Sequence, residues 1–211
     1  MDQNAEISLE PTDFSNIQKN LRLRNQFKNG ANWFYWIAGL SVLNSVIFLF
    51  GRTVSLMLGL GINQLVDGIA YYLELELGPE LTMIPRYIGL GLNLLVAGLF
   101  AVCGFYARKK IRWIYILGIG LYIFDVLLLL WLGDFLSVLF HGLALYGLFE
   151  GFGAIKQLKE LELKMSAEQI EQVIQMASEQ PAPTFMKSFV IILLGALAII
   201  IVGTIIMMLI R

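Results

Sequence analysis

Two ionisable side chains, Asp125 and His141, lie inside long apolar stretches of this chain and are its first candidates for chemistry. Each lies eight residues from Gly133, where the pattern predicts a tight turn between two helices. At the helical rise of 1.5 Å per residue, both side chains fall about 12 Å from that turn. A lone charge in hydrocarbon is costly, so we expect the carboxylate and the imidazole to contact each other directly or through one water.

Two asparagines complete a candidate polar layer, which consists of Asn44, Asn93, Asp125 and His141. Each asparagine lies six residues from the end of its apolar stretch on the same predicted side of the membrane. Asp67, on a neighbouring segment, is a further candidate contributor. One interpretation is a proton-responsive or ion-binding layer in which Asp125 and His141 titrate. The other is interhelical hydrogen bonding that fixes helix packing.

Signatures of enzymes are scarce. Ser137 and His141 are four residues apart, a spacing that raises the possibility of an intramembrane serine hydrolase, but no GxSxG nucleophile turn accompanies them. The sequence also lacks HExxH, GxxxxGK[ST] and CxxC. A single cysteine excludes an intrachain disulfide, and a single histidine excludes multi-histidine zinc sites. We therefore expect a protein that is not an enzyme and has no catalytic, cofactor or metal site.

A second pair of opposite charges lies at the other end of the same apolar stretches. Glu150 and Arg112 have similar depth, and their proximity predicts an ion pair. An ion pair of this kind orients two helices without supplying chemistry.

The composition of the chain indicates which kind of structure positions these residues. Hydrophobic residues make up 58% of the 211 positions and charged residues 15%, against about 25% charged in ordinary globular proteins. This composition predicts an integral membrane protein. The formal net charge of -1 excludes nucleic acid as an expected partner, because no basic excess is available to neutralise phosphates.

Five stretches have the length of a membrane span, about 20 residues each. They predict an all-α, polytopic transmembrane helical bundle with five spans. The stretches are residues 33–50, 87–107, 113–132, 135–154 and 188–210.

The distribution of basic residues predicts the orientation. With five spans, twelve of the fifteen lysines and arginines fall on one side, which the positive-inside rule assigns to the cytoplasm. The amino terminus is then cytoplasmic and the carboxyl terminus external, in a prokaryotic plasma (inner) membrane. A sixth apolar stretch, 53–73, carries Asn63, Gln64 and Asp67 and is a poor span. We expect it to be a re-entrant or interfacial segment within the external residues 51–86.

This topology divides the chain into four parts. Residues 1–32 form a cytoplasmic amino-terminal segment with a short interfacial helix at 13–28, and residues 33–154 form a four-span membrane bundle. Residues 155–187 form a cytoplasmic amphipathic helical hairpin, in which Ser166 and Gln169 predict a capping box. Residues 188–211 form a carboxyl-terminal transmembrane helix.

Two stretches resemble a group of uncharacterised bacterial multi-span membrane proteins. One is LGLGINQLVDG at 58–68. The other is a pattern of residues at Phe105, Arg108, Trp113, Gly118, Tyr122, Asp125, Phe140, His141, Leu145, Tyr146 and Gly151. The likeness covers roughly residues 33–154, and the group has no named activity, so it implies a membrane fold alone.

The expected function is that of a non-enzymatic accessory or scaffold subunit of a membrane complex. Its expected partners are the lipid bilayer and either another membrane protein or a second copy of the chain. The alternative is a small transporter or channel that uses the polar layer, and an intramembrane hydrolase is a third interpretation.

Overall fold

The computed structural model describes residues 11–50, 59–77 and 83–179, and within these ranges the chain is all-helical, without strands. Three of the helices, α3 to α5, are long and apolar enough to cross a membrane. The predicted fifth span, 188–210, lies outside the described residues. The helices are α1 (Pro11–Phe50), α2 (Gly61–Leu77), α3 (Met83–Arg108), α4 (Arg112–Leu132), α5 (Phe135–Glu162) and α6 (Ala167–Glu179).

The chain forms two compact units. One contains the described residues within 22–164, and the other the described residues before residue 22 and after residue 164. Every residue of the polar layer belongs to the first unit, as do Asp67, Arg112 and Glu150.

Helix α1 differs from the prediction because it is continuous for 40 residues. The separate interfacial helix predicted at 13–28 is instead the first part of this helix. Neither a proline nor a cap interrupts the chain before the apolar stretch, so helical hydrogen bonding continues through it. Gly30 is a weak helix former, and its lack of a side chain allows α1 to lie against another helix at this position.

Close helix contacts in the bundle occur at glycines. A Cβ atom added at Gly151 of α5 would lie 2.5 Å from the Cα atom of Gly30 on α1, and Gly147 of α5 lies against the Trp33 ring. The Gly147–Gly151 spacing that the sequence contains therefore serves close packing of α1 on α5, as small-xxx-small patterns do in membrane bundles.

Helices α2 and α3 pack as neighbours in an antiparallel pair, joined by contacts between Asp67 and Asn93 and between Glu74 and Arg86. Helix α3 begins earlier than the predicted residue 87, because Pro85 lies in its first turn, where the missing N–H has no helical partner to lose. Helix α2 ends at Leu77, beyond the predicted limit of 73.

Helices α4 and α5 form the predicted hairpin. Gly133 adopts a left-handed conformation with φ of 76°, and its N–H bonds back to α4 to close that helix. Asp134 then begins α5 by accepting a hydrogen bond from the Ser137 N–H at 3.1 Å. This turn brings Asp125 and His141 to the same level of neighbouring helices.

The outer surface of the first unit is apolar and its interior is partly polar. On α2 the buried face carries Asn63, Asp67 and Glu74, while Tyr72 and Leu75 of the same helix are exposed. A water-soluble helix shows the opposite arrangement. On α4, Trp131 is 76% exposed, consistent with a surface that faces lipid.

The break between the last two described helices agrees with the predicted capping box. The Ser166 hydroxyl accepts a hydrogen bond from the Gln169 N–H at 3.2 Å, and the Gln169 side chain accepts one from the Ser166 N–H at 2.9 Å. Helix α6 buries Val173 completely.

Candidate functional site

The site is built around the carboxylate of Asp125 on α4, which caps the amino terminus of α2. Its two oxygens accept hydrogen bonds from the backbone N–H groups of Gly61 at 2.8 Å and Ile62 at 2.9 Å. The first N–H groups of a helix have no helical acceptor, and the helix dipole favours negative charge there. Asp125 therefore satisfies two donors of a different helix, and the Gly61 donor is buried.

This cap depends on a glycine. A Cβ atom at Gly61 would lie 2.7 Å from the Leu129 side chain of α4, so a larger residue would push the two helices apart. Gly68 on the same helix has open space around it. The glycine at the start of α2 is thus needed for the close approach, and the one in its middle is not.

His141 on α5 completes the coordination of the carboxylate. Its Nε2 atom lies 3.1 Å from an Asp125 oxygen, and its Nδ1 atom lies 2.8 Å from the Ser137 carbonyl oxygen. A carbonyl oxygen only accepts, so Nδ1 must carry a proton, and a second proton must then lie between Nε2 and the carboxylate. The Tyr122 ring stacks on the imidazole at 4.8 Å.

Ser137 and His141 do not have the geometry of a hydrolase dyad. The imidazole contacts the Ser137 carbonyl, while the Ser137 hydroxyl donates a hydrogen bond to the Asp134 carboxylate. Gln64 of α2 donates a further hydrogen bond to Asp134 at 3.1 Å. Partial desolvation favours a higher pKa of Asp134, but the hydrogen bonds from Ser137 and Gln64 outweigh it and lower that pKa.

A second polar cluster lies between α2 and its neighbours. The Asn93 amide of α3 donates to the Asp67 carboxylate at 2.7 Å, and the Asn63 amide donates a longer hydrogen bond to the Ser41 carbonyl of α1 at 3.4 Å. The side-chain oxygens of Asn93 and Asn63 are buried without a hydrogen-bond partner. Burial raises the pKa of Asp67 to about 6, although the Asn93 amide opposes the shift.

All four residues of the predicted polar layer are buried, but they do not share one contact. Asp125 and His141 are in direct contact, as the sequence predicts. Asn93 pairs with Asp67, which gives the further candidate Asp67 a direct partner in the layer. Asn44 lies against Gly59, the residue before the turn that leads into α2. These residues therefore gather around α2.

The predicted ion pair between Glu150 and Arg112 is not among the contacts of the described residues. Glu150 accepts a hydrogen bond from Gln26 of α1 at 3.1 Å, and the Arg112 guanidinium lies 5.8 Å from the centre of the Phe152 ring. The two side chains have different partners, and the depth on which the prediction was based does not specify the direction in which a side chain leaves its helix.

Sequence reasoning missed an ion pair and the helix cap. Arg86 of α3 bonds to the buried Glu74 carboxylate at 3.0 Å. Glu74 and Asp67 are seven residues apart, a two-turn spacing that would have placed both carboxylates on one face of α2. The sequence signal for the cap was Gly59-Leu60-Gly61 at the start of α2, because glycines in a turn permit the close approach of another helix.

The described residues contain no group of three or more His, Cys, Asp or Glu side chains placed to hold a metal ion. Comparison of the chain with family models, curated proteins and solved structures gives no significant match. The chemistry of the site must therefore be argued from its own residues.

Proposed function

We propose that the chain crosses a prokaryotic plasma membrane five times, with the amino terminus in the cytoplasm. The apolar helices α3 to α5 support three of these spans. The apolar end of α1 and the stretch 188–210 supply the other two by length and composition. Helix α2 is then a re-entrant segment on the external side, with its amino terminus at the level of Asp125.

We propose further that the protein is a non-enzymatic accessory or scaffold subunit of a membrane complex. The observation that carries this proposal is the use of Asp125 and His141. Both oxygens of the carboxylate and both nitrogens of the imidazole are engaged in holding α2 and α5 in place. A carboxylate that caps a helix stabilises the packing of the bundle. The apolar outer surface of this bundle is then the surface to which a partner binds.

The test uses the full chain with Asp125→Asn and His141→Gln combined, which removes both ionisable groups of the pair. Chemical crosslinking in native membranes is followed by solubilisation and quantitative mass spectrometry. We expect one membrane protein, or a second copy of the chain, at a fixed molar ratio in both the wild type and the double variant. Recovery of the wild-type chain without such a partner would contradict the accessory role.

A small transporter or channel is the second candidate. The polar cluster of Asp67, Asn93 and Asn63 is the observation that favours it. Asp67 is buried beside amide oxygens that lack hydrogen-bond donors, an environment suited to an exchanging cation. Flux measured with the purified chain in proteoliposomes distinguishes the candidates. Flux that depends on pH and disappears with Asp67→Asn, but persists with Glu76→Gln on the exposed face of α2, would favour transport over the accessory role.

A further inference from the structure

The buried carboxylates around α2 are not equally compensated. Glu74 is paired with the Arg86 guanidinium at 3.0 Å, and Asp125 with the His141 imidazole at 3.1 Å. Asp67 is 6% exposed, and within the described part of the chain it has no cationic partner. An ionised carboxylate without a counter-charge is the most costly of these three groups to bury.

The surroundings of Asp67 contain too many acceptors for the donors present. The Asn93 Nδ2 group donates to one Asp67 oxygen at 2.7 Å. The Oδ1 atom of the same amide is buried without a donor, as is the Oδ1 atom of Asn63, one turn earlier on the buried face of α2. Each unsatisfied buried acceptor destabilises the folded state, and a proton on the carboxyl would supply a missing donor.

Charged groups on the elements packed against α2 do not supply that donor. Arg86 of α3 is engaged by Glu74, and Asp125 of α4 by His141 of α5. Asp134, at the turn between α4 and α5, bonds to the Gln64 and Ser137 side chains. On α1, Ser41 contacts α2 and Asn44 contacts Gly59 just before it, and both are buried side chains that carry no charge.

We propose that Asp67 is a reversible proton-binding site of the bundle, in which the protonated carboxyl and the Asn93 amide form a cyclic pair. In this pair the existing N–H···O hydrogen bond remains, and the carboxyl O–H donates to the unpartnered Asn93 oxygen. The proton comes from water and returns to it, so the exchange needs no other reactant. Burial raises the pKa of Asp67 to about 6, which places the exchange within the range of ordinary growth media.

Infrared difference spectroscopy of the full chain in lipid, titrated from acid to alkaline pH, tests this proposal directly. We expect the carbonyl band of a protonated carboxyl to disappear with a midpoint of about 6. The band should be absent in Asp67→Asn, which mimics the neutral form, and retained in the matched control Glu76→Gln on the exposed face of α2. Asn93→Ala removes both hydrogen bonds of the proposed cyclic pair, so the carbonyl band should remain but move to higher wavenumber, as expected for a carboxyl that has lost its hydrogen-bond partners.

The outcomes separate a proton from a metal cation. A titration that does not change when sodium replaces potassium or choline supports the proton site. A midpoint that falls as sodium rises would overturn it in favour of a sodium site. Loss of the band with Glu76→Gln, or an unchanged titration in Asp67→Asn, would also overturn it. The inference goes beyond the accessory-subunit proposal, because the carbonyl band reports proton binding whether or not a partner is present.

Discussion

At the residue scale, the buried Asp125 side chain is stabilised by three hydrogen-bond partners. Two of them, at Gly61 and Ile62, are backbone groups that would otherwise be unsatisfied at the start of a helix. The third is the His141 imidazole, whose proton is held in place because its other nitrogen donates to Ser137. The charge and the orphan donors thus compensate each other.

We expect Asp125→Asn to destabilise the folded protein by about 3 kcal/mol. An amide has one acceptor oxygen, so its NH₂ group would face a donor, and the buried His141 would lose its carboxyl partner. The free energy of unfolding measured in mixed detergent micelles checks this expectation.

The double variant Asp125→Asn, His141→Gln is the control for that measurement. It removes the imidazole that Asp125→Asn leaves without its carboxyl partner, and it should recover part of the lost stability, because no ionisable group of the pair is then left buried. A double variant as unstable as the sum of the two single variants would show that the pair itself contributes little.

At the element scale, α2 is a short helix whose polar side faces the bundle. Its first N–H groups are held by α4, and its buried carboxylates contact Arg86 and Asn93 of α3. Helices that begin inside a membrane protein are tolerated where other protein groups satisfy their ends. The packing of α2 therefore depends on polar contacts, whereas α1 packs on α5 through close backbone approach.

The close contact between α1 and α5 predicts different outcomes for substitutions at two glycines of α5. In Gly151→Ala the new methyl group would meet the Gly30 backbone at 2.5 Å, so the helices must separate, at a cost of about 1–3 kcal/mol. Gly153→Ala is the matched control, because a Cβ atom there meets nothing within 4 Å. Thermal unfolding in detergent measures both variants. Equal melting temperatures for the two would contradict the proposed close contact between α1 and α5.

At the scale of the whole molecule, the apolar exterior and the basic residues together predict which side of the membrane each turn occupies. After Cys103, which is buried, is replaced by Ser, single cysteines report the topology. We expect Glu76→Cys to react with an impermeant maleimide added to intact cells, and Lys109→Cys and Lys159→Cys to react only after lysis. Reaction of Lys109→Cys in intact cells would favour residues 53–73 as a true span.

The carboxyl-terminal stretch allows a second test at this scale. Residues 188–210 contain no ionisable side chain, so we expect them to contact lipid or a neighbouring helix and not to contribute to a polar site. A chain that ends after Glu179 should still insert and give the same protease-resistant fragment, while losing a partner that binds the tail. Failure of this shorter chain to insert would show that the tail belongs to the core bundle.

The sequence by itself determined the membrane class, helices α3 to α5 and the turn between the last two of them. These features depend on local information: apolar length, a glycine that can adopt positive φ, and an aspartate that caps a helix. It also predicted the contact between Asp125 and His141, because a short turn fixes the relative depth of two neighbouring helices. The single helix from Pro11 to Phe50 was missed, since no local signal shows whether two compatible stretches join.

Only the tertiary structure decided which polar groups meet. Depth can be counted along a helix, but the direction of a side chain depends on the rotation of that helix against its neighbours. For this reason Glu150 and Arg112, which the sequence predicts to have similar depth, have different partners. For the same reason Asp125 reaches the first N–H groups of α2, a segment 64 residues earlier in the chain. The basic partners of Asp125 and Glu74, and the lack of one at Asp67 among the described residues, emerge only when the helices are packed.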